Sequence, residues 1–89
     1  MTLLGTPFVV EWDAASRKQA RLLSKAQRRE IGGAVNLLAA TGSGDVKSLK
    51  GRPGELRLRV GDFRVLFRVD YSSRHLLVIA VRNRREAYR

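Results

Sequence analysis

The sequence predicts a small α+β domain, β-α-α-β-β-β, with a helical hairpin packed on one face of a small, mostly antiparallel sheet. Three observations carry this. Apolar residues fall at helical spacing between Ala15 and Leu38, and at alternating spacing from Leu56 to Val69. Gly61-Asp62 joins two alternating runs as a two-residue hairpin loop. The chain has 89 residues, enough for one modest core, so residues 1–89 are read as a single domain.

The first strand is read over Pro7 to Trp12, where β-branched and aromatic residues follow a proline and Val10 shares a face with Trp12. Asp13 offers an N-cap to a first helix over residues 14–24, with Ala15, Leu22 and Leu23 near one face. Ser24 caps a second helix over residues 25–41, where Gln27, Ile31, Ala34, Val35 and Leu38 recur at helical spacing and Gly42 supplies the stop. Gly32-Gly33 inside it suggests a tight helix–helix approach. Residues 42–54 are read as a polar loop ending in a type II turn, with Pro53 and Gly54 as its central pair. Three strands follow, over residues 55–60, 63–71 and 76–83, the last two linked by Ser72 to His75.

The hairpin register follows from its loop. Val60 faces Phe63, and counting outward Arg59 faces Arg64, Arg57 faces Leu66, and Glu55 faces Arg68. Side chains alternate faces with period two. One face then holds Leu56, Leu58, Val60, Phe63, Val65, Phe67 and Val69, and must lie against the helices. The other holds Arg57, Arg59, Arg64, Leu66 and Arg68, with Glu55 as its only expected acidic relief. On the last strand the parity of Val78, Ala80, Arg82 and Arg84 is assigned to this open face. Antiparallel sheets commonly leave one face polar, but such faces normally mix signs. Arg59 opposite Arg64 costs stability, on the order of a few tenths of a kcal/mol. An anion between the two guanidiniums reverses that sign through charge-assisted forked bonds.

Overall charge points the same way. The net charge is +10 and the pI about 11.5, with arginine supplying most of the 18 basic residues. That balance implies a polyanionic partner, and arginine favours forked recognition of phosphate or carboxylate. There is no cysteine and one histidine, His75, so no disulfide, metal site or cofactor is expected. No apolar run reaches membrane-spanning length, and a cytoplasmic location is expected. Trp12 and Phe8 are read as core, His75 as a surface residue, and Glu86 as a salt-bridge partner.

Three stretches carry a resemblance that spans nearly the whole chain: "VEWDAASRKQARLLSKAQRREI", "VKSLKGRPGELRLRVGDFRVLFRVD" and "VIAVRNRREAY". In this order they resemble the RelE/ParE superfamily of toxins from type II toxin–antitoxin pairs. The resemblance implies a RelE-like fold. It also implies, for RelE-type members, ribosome-dependent cleavage of messenger RNA by basic groups on the sheet and a tyrosine near the C-terminus. Matched by motif, the catalytic positions fall on Arg57, Arg59, Arg64, Arg84 (alternatively Arg85) and Tyr88, with Arg68, Arg82, Arg85, Lys50 and Arg52 as flanking RNA contacts. Two departures stand out: arginine occupies strand positions where relatives often carry lysine, and Asn83 stands where some carry histidine.

In the chemistry this implies, the arginines hold the scissile phosphate and its developing charge, and Tyr88 is the best available base. A phenol is a weak base at neutral pH, and neighbouring arginines favour its phenolate. The general acid is unassigned. The expected function is thus a ribosome-dependent mRNA endonuclease, with no metal. The alternatives are a ParE-like inhibitor of DNA gyrase, or a catalytically weak relative that mainly binds its antitoxin. Each implies an acidic, RelB-like antitoxin as partner, and the first adds the ribosome and mRNA.

Overall fold

The computed structural model describes residues 2–83. Its elements are β1 (Val9–Trp12), α1 (Ala14–Arg21), α2 (Lys25–Thr41), β2 (Asp45–Ser48), β3 (Glu55–Val60), β4 (Phe63–Asp70) and β5 (His75–Asn83). The expected order holds, with one strand added. β2 lies inside the stretch read as a polar loop and pairs antiparallel with β3. The sheet runs β1-β5-β4-β3-β2, antiparallel except for the parallel pair β1–β5.

Local chemistry sets three of the four helix ends as the sequence implies, while α1 stops at Arg21, short of the expected residue 24. Asp13 accepts from the Ser16 N–H at 2.7 Å and starts α1. Ser24 and Gln27 form a reciprocal capping box that starts α2. Gly42 ends it in the left-handed region, φ +79°, and donates to the Leu38 carbonyl at 2.8 Å. Only glycine fits there, because a Cβ would collide with the Leu3 carbonyl oxygen.

The core lies between the helices and one sheet face. Ile31, Val35, Leu38 and Ala39 of α2 join Leu58, Val60, Phe63, Val65 and Phe67 of the hairpin, with Val46, Leu76, Val78 and Val81. Three expectations need correcting. Ala15 and Leu22 are exposed, Leu22 by 84%; the fully buried residue of α1 is Ser16. Its hydroxyl donates to the carbonyls of Asp13 and Val78, at 3.1 and 3.0 Å. A hydrogen-bonding role of that kind leaves no apolar periodicity to read. Gly32-Gly33 marks no close approach, since a Cβ at either would meet nothing within 4 Å. Finally, Val78 lies on the core face. A bulge between Leu66 and Phe67 lets Ile79 stand out of register, so that Phe67 pairs with Val78 while Leu66 pairs with Ala80. Parity counted back from Arg82 therefore fails beyond Ala80.

Candidate functional site

The register puts the hairpin arginines where the loop count placed them, with Arg57 opposite Leu66, Arg59 opposite Arg64, and Glu55 opposite Arg68. β5 brings Arg82 opposite Arg64, and β2 brings Asp45 opposite Arg59. One cross-strand row thus reads Asp45–Arg59–Arg64–Arg82. The next reads Lys47–Arg57–Leu66–Ala80. At a strand spacing of about 4.8 Å, the backbones of Arg59 and Arg82 are about 10 Å apart. Asp45 and Lys47 are site-face residues that sequence reasoning missed. The sole signal was the single apolar Val46 between polar neighbours.

This end of the face has an apolar floor beneath cationic groups. Leu66 and Ala80 are buried although they lie outside the main core. Arg57 is half-buried, and its Nε is buried with no hydrogen-bond partner. A buried donor left unbonded is costly. Arg59 and Arg82 are exposed and Arg64 is half-buried.

The other end of the face has a different character. Arg68 is engaged in the fold, donating to Glu55 Oε1 at 2.9 Å, while Arg52 stands 3.5 Å from Oε2. Arg68's hydrogen bond holds the Glu55 carboxyl below its usual range, against the opposing pull of burial, with the charges of Arg68 and Arg52 adding to it. Arg52 belongs with this ion-pair cluster at the start of β3, and Lys50 is exposed in the turn that precedes it. Arg59 is four residues further along that strand, roughly 13 Å away. His75 opens β5 and lies 3.3 Å from Glu11. It pairs with Asp70, six residues along β4 from Arg64, or roughly 20 Å. Asp70 accepts from the backbone of Ser72 and Ser73, bonds that lower its carboxyl pKa, those to Ser73 foremost.

The face is therefore polarised rather than uniformly basic. Arginines and Lys47 crowd the end near the Gly61-Asp62 loop, with Asp45 at its edge, while Glu11, Glu55, Asp70 and His75 lie at the other. Glu55 is not the sole acidic relief on this face. The structure brings Arg57, Arg59, Arg64 and Arg82 together and sets Arg68, Arg52 and Lys50 apart. Arg84, Arg85 and Tyr88 lie outside the described residues. Among the described residues, no group of three or more potential ligands is placed to hold a metal. Among the described residues, no helix is long and apolar enough to cross a membrane.

Comparison with known proteins adds context. The profile of one family, described as the ParE toxin of the type II toxin–antitoxin system parDE, matches residues 9–88. Among solved structures, the chain is similar to the archaeal RelE–RelB complex from Pyrococcus horikoshii OT3, with 22% identity over 89% of this chain and 97% of that one, at a TM-score of 0.74. It is also similar to the RelBE2 toxin–antitoxin complex from Mycobacterium tuberculosis, with 20% identity, coverage of 94% and 98%, and a TM-score of 0.72. The YoeB/ParE toxin from Agrobacterium tumefaciens gives 23% identity, coverage of 83% and 95%, and a TM-score of 0.68. Likenesses at these identities speak for the fold. No curated protein sequence matches the chain.

Proposed function

We propose a function from one premise: the chain belongs to the ParE toxin family of type II toxin–antitoxin systems, and so to the RelE/ParE superfamily. It is a toxin of that class, and its structural neighbours include toxin–antitoxin complexes. Our reading is that it inhibits translation by cleaving ribosome-bound messenger RNA on the open sheet face. The observation that carries this is the uninterrupted run Arg59–Arg64–Arg82 across three strands, with Arg57 beside it. Guanidiniums in neighbouring register fork onto the oxygens of a phosphodiester laid across them.

Cleavage through the 2′-OH needs charge stabilisation on the phosphorane, a base and an acid. The arginines suit the first need, since guanidinium keeps its charge and forks onto phosphate oxygens. The same property disqualifies them as proton donors. Tyr88 enters as base through the superfamily resemblance alone. An acidic antitoxin that folds over the basic end is the expected partner.

The test is primer extension on mRNA from translating ribosomes incubated with the purified chain. Cuts within ribosome-bound codons that vanish with Arg64→Ala support the reading. A second reading, inhibition of DNA gyrase, is favoured by the family description and by Asn83 standing where some RNA-cleaving relatives carry histidine. Loss of supercoiling activity without mRNA cuts establishes that reading instead.

A further inference from the structure

One step of the proposed cleavage is still without a donor. When the 2′-oxygen attacks phosphorus, the bond from phosphorus to the 5′-oxygen breaks, and that oxygen needs a proton. The arginines cannot give one, because guanidinium stays charged in proteins. A carboxylate has none to give at neutral pH, which removes Asp45. His75 stands roughly 20 Å from Arg64 along the strands.

The edge strand β2 brings a different cation to this end of the face. Val46 is buried in the core, so its neighbours Asp45 and Lys47 have the opposite parity and stand on the open face. Lys47 pairs with Arg57 and is the diagonal neighbour of Arg59, at the roughly 7–8 Å that long side chains span. It is exposed, and among the described residues it takes part in no ion pair. The described cations at this end of the face are Arg57, Arg59, Arg64, Arg82 and Lys47. Only the lysine carries a charge that can be given up as a proton, and it carries it on a flexible stem. An edge lysine also guards a sheet against pairing with another chain. Arginine serves that purpose as a cation too, so one substitution separates the two roles.

We infer that Lys47 is the general acid of the reaction, an inference that rests on the RNA-cleavage reading above. Its Nζ donates a proton to the departing 5′-oxygen as the 2′-oxygen closes on phosphorus. The 2′-hydroxyl proton goes to the base. The products are a 2′,3′-cyclic phosphate and a free 5′-hydroxyl, and the neutral amine regains its proton from water. Charge and proton supply are thus divided between strands. Arginines of β3, β4 and β5 hold the phosphate, and β2 supplies the proton.

The experiment measures single-turnover cleavage of ribosome-bound mRNA by the intact chain, Lys47→Arg and Lys47→Ala, on two substrates. One carries the natural linkage. The other has sulfur in place of the bridging 5′-oxygen at the linkage the intact chain cuts. A thiol ionises with a pKa of about 8.5, so sulfur leaves as a thiolate and needs no acid. On the natural linkage both variants should lose about 10²-fold or more, the scale for a general acid. On the sulfur linkage both should cut at the intact chain's rate. Lys47→Arg keeps the charge and the edge guard, so its loss isolates the proton. If Lys47→Arg cuts the natural linkage at the intact rate, the inference is overturned and the nuclease reading stands. Equal loss on both linkages also overturns it and makes Lys47 a binding or structural residue, which urea unfolding tells apart. An intact chain that cuts neither substrate overturns the nuclease reading and this inference together.

Discussion

Arg64 stands between Arg59 and Arg82 in one cross-strand row, and the function we propose is concentrated there. Replacing Arg64 by alanine should lower mRNA cleavage by about 10²-fold, the scale for removing one preorganised donor from a developing charge; single-turnover assays on programmed ribosomes measure it. Arg59→Ala should weaken cleavage too, while changing stability by no more than about 0.5 kcal/mol, because Arg59 is exposed and its loss removes one like-charge neighbour, Arg64, and one opposite-charge neighbour, Asp45. Urea unfolding checks that. Glu55 behaves oppositely. Its folded-state pKa is depressed by Arg68, so the unfolded chain binds more protons as pH drops. Its stabilising contribution is present above about pH 4.5 and is lost as pH falls below that value. Glu55→Gln should flatten the acid side of the stability profile, read from melting temperatures between about pH 3 and 6. The Glu55–Arg68 pairing was legible from the loop position alone, because a two-residue hairpin fixes register. The buried role of Ser16 was not, because a hydroxyl bonded to a distant carbonyl leaves no local pattern.

At the scale of elements, what could be read was whatever had a local cause. Asp13, Ser24 and Gly42 mark helix ends through the hydrogen bonds of their own neighbours, and Gly61-Asp62 marks a turn through the dihedral that glycine permits. β2 escaped because an edge strand of four residues carries one buried side chain, Val46, and its partner strand is the only thing that makes it a strand. The bulge at Ile79 escaped because it is a property of the β4–β5 pair. Gly32 and Gly33 can be tested directly. Both sit within α2 with open space where a Cβ would go, so Gly32→Ala and Gly33→Ala should each stabilise the protein by roughly 0.5–1 kcal/mol, measured by chemical denaturation. Gly42→Ala should do the reverse and lower the melting temperature, through its left-handed backbone and the collision with Leu3.

For the whole molecule, the net charge is +10, and the basic end of the sheet face carries the substrate reading. If Arg57, Arg59, Arg64 and Arg82 each meet a phosphate, affinity for single-stranded RNA should fall with log salt at a slope of roughly −3, about 0.7 per contact. Arg59→Ala should reduce that slope by about 0.7 in the same fluorescence-anisotropy titration. The bulge in β5 bears on how this surface is built. Up to Val78 the strand is flanked by β1, and there the Val78 carbonyl accepts from Asp13 N–H and the Ser16 hydroxyl. Past it, Val81 N–H donates to Gln19 of α1 instead, at 2.6 Å. Excising Ile79 would leave every remaining β5 residue on its present side; what a bulge adds is a local bend and a stronger twist. It is a corner that lets the far half of the strand, with Arg82, be steered by a helix side chain, so that evolution can re-aim the display end without rebuilding the foundation.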